Sequence, residues 1–241
     1  MISPRLSDSS FPATRWSMVT RVSASGKASS VEALGELGQR YRYPVYAYVR
    51  KCGHAPDIAR GITQAFLSHL HRHARDAIEP SDRGKFRRFL LDRLHAWLAD
   101  DWTRLGEENG EEPAAADPEL ESRFAHDMDH AGSPDEAFQL GFAIEVLARA
   151  LDRLAAEARE TGHADMYEAL VRFLGRDASP ADLEHAAGTL GIKSLTVMLA
   201  LKRLRSRLRE LAGDELADTV ASSDELAAEQ QALLTILHAV K

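Results

Sequence analysis

The chain has 241 residues, 44% of them apolar and 28% charged, with one cysteine. That composition excludes a disordered or fibrous chain, an internal disulfide framework and a cysteine-based zinc cluster. No apolar run approaches the roughly 20 residues of a membrane span and the N-terminus lacks a signal-peptide core, so a cytoplasmic protein without a membrane partner is expected. The net charge of −7 hides an asymmetry. Residues 1–106 hold 17 Lys/Arg against 10 Asp/Glu, and residues 107–241 hold 13 against 27. Within the acidic half, residues 193–209 carry six basic side chains and no acid. A local basic patch on an acidic chain is the electrostatic footprint of a phosphate contact; its alternative is a solvated helix face.

The periodicity is helical nearly throughout, and the expected fold is all-α. Val31, Leu34, Leu37 and Tyr41 line a first helix, and Pro44 is expected to open a separate segment that stops at Gly53. Ile58, Ile62, Phe66 and Leu70 mark a third helix; Phe86, Phe89, Leu90, Leu94, Trp97 and Leu98 mark a fourth. Over residues 106–132 the pattern collapses into Pro, Gly, Ala and acids, nine acids against Arg123 alone, the composition of a flexible acidic linker.

Three later helices announce their starts with serine caps: Ser133-Pro134-Asp135-Glu136, Ser179-Pro180-Ala181-Asp182 and Ser222-Ser223-Asp224-Glu225. Phe138, Phe142, Val146, Leu147, Leu151 and Leu154 follow the first cap, and Met166, Leu170, Phe173 and Leu174 mark a further helix ended by Gly175. After the second cap, Leu183 and Ala187 lead to the turn Gly188-Thr189-Leu190-Gly191-Ile192, and a longer helix carries Val197, Leu201, Leu204 and Leu208. This is a helix-turn-helix pattern. Such a second helix enters the major groove by its N-terminus, which here offers Lys193, Ser194 and Thr196, while Lys202, Arg203 and Arg205 would meet phosphates. A helical hairpin with an incidental basic face is the competing reading. The third cap opens an apolar tail helix with Leu226, Leu233, Leu237 and Val240, which packs on its own chain or on a partner.

The organisation expected is therefore a helical domain over residues 1–105, an acidic linker over 106–132, a helix-turn-helix domain over 133–213 and a helical extension over 214–241. His69, His71 and His73 invite a metal, but no further ligand is placed and structural zinc takes four. No phosphate loop, nucleophile elbow or H-E-x-x-H pair occurs, so neither an enzyme nor a cofactor is expected.

Phe11-Pro12-Ala13-Thr14-Arg15-Trp16-Ser17, Tyr43-Pro44-Val45-Tyr46-Ala47-Tyr48-Val49-Arg50, Gly53-His54-Ala55-Pro56, Ile62-Thr63-Gln64-Ala65-Phe66 and Gly84-Lys85-Phe86-Arg87-Arg88-Phe89-Leu90-Leu91 occur in that order. In these motifs the chain resembles the extracytoplasmic-function sigma factors of bacterial RNA polymerase, in the branch with an N-terminal Phe-Pro-x-Thr-Arg-Trp motif. The resemblance implies a region 2-like first domain that binds core polymerase and opens the −10 element, and a region 4-like helix-turn-helix that reads the −35 element of promoter DNA. It implies polymerase contacts at Ile62, Gln64 and Phe66. It places DNA contacts in the first domain at Lys85, Arg87, Arg88, His95 and Trp102, with Trp97 either stacking on bases or packing in the core. It also implies an anti-sigma or regulatory partner as one occupant of the C-terminal helix. The chain departs from the family where acids face the polymerase (Gly61 and Ala65 here), where an Arg-Asn pair is usual (His95-Ala96), and at Met198, a position usually basic. Two readings stay open. One is a transcription initiation factor; the other is a degenerate sigma-fold protein acting as a regulatory interaction module.

Overall fold

In the computed structural model the described residues are 27–77, 86–99, 116–129 and 131–217, with 227, 230 and 231. They form eight α-helices and one 3-10 turn, and no strand among them, so the fold is all-α. Contacts divide the chain into two units, with the boundaries between Phe142 and Ala143 and between Leu216 and Ala217. The expected N-terminal Phe-Pro-x-Thr-Arg-Trp segment, residues 106–115 of the linker, the third serine cap and the apolar tail residues lie outside the described residues.

In the first unit, α1 runs Lys27–Lys51 without interruption. The expected break at Pro44 is absent. A proline inside a helix removes one hydrogen bond and costs about 3 kcal/mol in isolation. Here Tyr41 and every residue from 43 to 49 are buried, so packing on all sides outweighs that loss. Gly141 is part of that packing, since a Cβ at 141 would stand 3.0 Å from Pro44 Cα. Tyr41 stacks on Phe142 with ring centroids 5.5 Å apart. The turn that follows the helix is made by Gly53, whose φ of +96° a side-chain-bearing residue rarely adopts. Helix α2, Pro56–Ala77, buries Ala59, Ile62, Phe66 and Leu70, and α3, Phe86–Ala99, buries Phe89, Leu90, Leu94 and Trp97.

Residues 106–132 are not a linker throughout. Pro118–Asp127 form α4, a helix lying along α1. Asp117 caps it, its carboxylate accepting from the N–H groups of Glu119 (3.1 Å) and Leu120 (3.2 Å), with Pro118 at the first position. This is the serine-proline device with aspartate in the cap, masked in the sequence by the density of acids. Burial of Leu120 and Met128 adds an apolar anchor.

Helix α5, Pro134–Glu160, starts as its cap predicts: Ser133 Oγ accepts from the Glu136 N–H, and the Glu136 carboxylate accepts from the Gly132 N–H. The second unit takes the part of α5 from Ala143 onward, so the division falls inside this helix and not at residue 133. It adds α6 (Ala164–Leu170), a 3-10 turn (Val171–Phe173), α7 (Pro180–Leu190) and α8 (Ser194–Ala217). Its core gathers Leu170, Phe173, Ala186, Ala187, Val197 and Leu201, and a neighbouring cluster joins Ala150 and Leu154 of α5 to Leu211 of α8.

Candidate nucleic-acid interface

Helices α7 and α8 are joined by the three-residue turn 191–193, where the sequence pattern expects the turn of a helix-turn-helix. Ser179 and Asp182 complete a reciprocal capping box, with Asp182 N–H to Ser179 Oγ at 3.1 Å and Ser179 N–H to Asp182 Oδ2 at 2.9 Å. Gly191 closes α7 in the left-handed region at φ +65°, where any side chain would be strained. Val197 and Leu201, one turn apart, anchor α8 in the core. A rotation of about 100° per residue then turns Leu195, Met198, Leu199, Lys202, Arg203, Ser206 and Arg209 outward, and all seven are exposed.

The six basic residues expected on this surface fall into two groups. Lys193, Lys202, Arg203 and Arg209 are exposed, with no hydrogen bond or ion pair among the described residues. Arg205 is turned inward instead. It donates to the carbonyls of Phe173 (Nη2, 2.9 Å), the last residue of the 3-10 turn, and of Arg176 just beyond it, so its expected role on phosphate gives way to a structural one. Arg207 likewise grips Glu157 of α5 through two hydrogen bonds of 2.9 and 2.8 Å, and this pairing holds the Glu157 carboxyl below its ordinary pKa. Ser194 is half-buried and Thr196 exposed at the head of α8.

In the first unit Arg88 and His95, two turns apart on one face of α3, are both exposed, whereas Arg87 is half-buried. Lys85 and Trp102 lie outside the described residues. The Arg87 guanidinium sits 5.0 Å over the Phe142 ring, and His95 Nε2 lies 3.1 Å from Asp135 Oδ1. Trp97 is 6% exposed and packed on Phe66 and His69, which makes it a core residue. The expected polymerase contacts separate in the same way. Ile62 and Phe66 are buried at 0% and 1% exposure, so they cannot touch a partner without opening the core, and Gln64 alone of the three is exposed. Ala65 is also buried, whereas a Cβ at Gly61 would meet nothing within 4 Å.

A polar clasp joining α1 to α4 has no counterpart in the sequence reading. Arg50 donates to both oxygens of Glu121 (Nε 2.8 Å, Nη2 2.7 Å), and Tyr46 donates to the same carboxylate at 2.6 Å. Arg42 reaches Asp117 at 2.7 Å, Tyr43 donates to Asp127 at 2.8 Å, and Arg123 lies 4.0 Å over the Tyr43 ring. The Arg50 hydrogen bond, with help from Tyr46, lowers the Glu121 pKa despite burial; the Leu120 N–H and then Arg42 lower that of Asp117. Burial and the Glu121 charge push the Tyr46 hydroxyl well up. The i, i+4 pair Tyr46–Arg50 and the pair Asp117–Glu121 are readable as stripes, but nothing in the sequence says that they face each other.

Compared with protein families, curated proteins and solved structures, the chain finds no match.

Proposed function

We propose that this chain is a sigma-factor-like transcription initiation protein, whose α7–α8 unit holds promoter DNA while the first unit engages core RNA polymerase. The observation that carries the reading is the exposed set Lys202, Arg203 and Arg209, unpaired among the described residues, on the second helix of the expected helix-turn-helix, with Lys193 at its head. Exposed cations along one face of an otherwise acidic protein, with no acid paired to them among the described residues, match a phosphate row. The ordered motifs from Phe11 to Leu91 supply the link to polymerase. The test is retention of core polymerase by the purified chain, followed by run-off transcription from the genomic region around its own gene. Retention with a discrete transcript is expected; loss of both contradicts the reading.

A second reading, a sigma-fold regulator that does not initiate, is favoured by α2. Gly61 and the buried Ala65 leave that surface without the acids that the family resemblance implies, and Ile62 and Phe66 are engaged in the core. Duplex binding without polymerase retention or transcript selects this reading.

A further inference from the structure

We propose that the head of α8 reads thymine methyl groups in the major groove, so that the preferred duplex is rich in thymine where that head sits. The proposal rests on the duplex-binding reading above and adds the base type to it. Leu195, Met198 and Leu199 are 63%, 46% and 47% exposed, in the i, i+3, i+4 relation of neighbours on one helix face. The same stripe continues through Lys202 and Ser206. A cluster of large apolar side chains at the surface marks a contact site.

The neighbours of the cluster indicate what it contacts. Lys193 precedes it, Lys202, Arg203 and Arg209 follow it, and no acidic residue stands between 193 and 209. The occupant therefore carries negative charge on either side of small apolar groups. Duplex DNA has that chemistry, because each thymine presents a C5 methyl in the major groove between two rows of phosphate. The dimensions agree. A rise of 1.5 Å per residue puts Lys202 about 12 Å and Arg209 about 22 Å beyond Ser194. The groove is about 12 Å wide, so the apolar head falls within it and the cations fall at and beyond its edge. Lys193 and Thr196 are the exposed hydrogen-bonding groups at the head, and Lys193 precedes the apolar cluster, so it serves a guanine or a phosphate beside the thymines. At the positions facing Leu195, Met198 and Leu199, discrimination then rests on methyl contacts.

The full chain selects from a randomised duplex library, and the selected duplex is remade with deoxyuridine in place of thymidine, which removes the methyl alone. The expected result is a thymine cluster in the selected duplex and binding about three- to fourfold weaker for each contacted methyl removed. The L195A/L199A variant changes two exposed positions and is expected to retain its circular dichroism and to bind both duplexes equally. Equal wild-type affinity for the thymine and uracil forms overturns the methyl reading and leaves duplex binding standing. Retention of no duplex above background at low salt overturns duplex binding itself, and the apolar head is then a protein-contact surface.

Discussion

Both units engage most of their arginines internally, but along α8 of the second unit several cations stay exposed without a partner among the described residues. In the first, Arg42, Arg50, Arg87 and Arg123 are each engaged within the unit, by Asp117, Glu121, the Phe142 ring and the Tyr43 ring. In the second, Arg205 and Arg207 are similarly engaged, but Lys193, Lys202, Arg203 and Arg209 have no such partner among the described residues. Residues 1–106 carry the net positive charge and residues 107–241 the net negative, yet the free cationic stripe belongs to the acidic half. Charge counted along a chain measures supply; availability depends on which acids the fold brings alongside. Here α4 delivers Asp117 and Glu121 to the arginines of α1, and nothing among the described residues delivers an acid to the outer face of α8.

The comparison breaks most visibly at Arg50. Replacing it by Met leaves Glu121 and the Tyr46 hydroxyl half-buried without a cation, at a cost of about 2–3 kcal/mol. Urea denaturation of R50M is expected to show that loss, and a change below about 0.5 kcal/mol would mean that solvent already screens the pair. The next contrast lies within α8. R205A leaves the partly buried Phe173 carbonyl without its donor and is expected to cost about 1–2 kcal/mol, whereas R203A, on the outer face, is expected to change stability by less than about 0.5 kcal/mol. Equal losses in the same denaturation experiment would remove the distinction between the inward and outward cations.

A smaller, pH-dependent effect separates the units further. Glu121 and Asp117 have folded-state pKa values lowered by their partners. A group of that kind adds stability that is fully present above its unfolded value, near 4, and is lost as pH falls through the folded value. Denaturation midpoints followed from neutral pH down to acid are therefore expected to fall more steeply for the wild type than for E121Q. Parallel curves would show that the carboxylate adds nothing to the docking of α4.

Much of this fold is legible in the sequence because its signals are local. The serine caps at 133 and 179, the glycine turn at 191 and the apolar spacing of α2 and α3 each act within a few residues. Pro44 misleads because a local rule is overridden by burial from all sides, a property of the packed unit. Helix α4 is missed because acids that read as solvated linker find arginines and tyrosines on a helix more than 70 residues away. At the candidate site, the outward position of Lys202 and Arg203 follows from helical spacing alone. The inward turn of Arg205 does not, because the carbonyls it meets belong to residues about 30 positions earlier. The exposed apolar head was available in principle: once Val197 and Leu201 are assigned to the core, Leu195, Met198 and Leu199 have to face outward.

The claim that the free stripe of α8 meets phosphate is tested most directly by a salt titration of binding to an arbitrary duplex. Wild type is compared with K202A/R203A/R209A, whose substitutions touch no internal pair among the described residues. Each lost phosphate contact removes about 0.9 from the slope of log K against log salt concentration, so the triple variant is expected to fall by about 2.7 with its thermal unfolding unchanged. A folded triple variant with the wild-type slope would contradict the account.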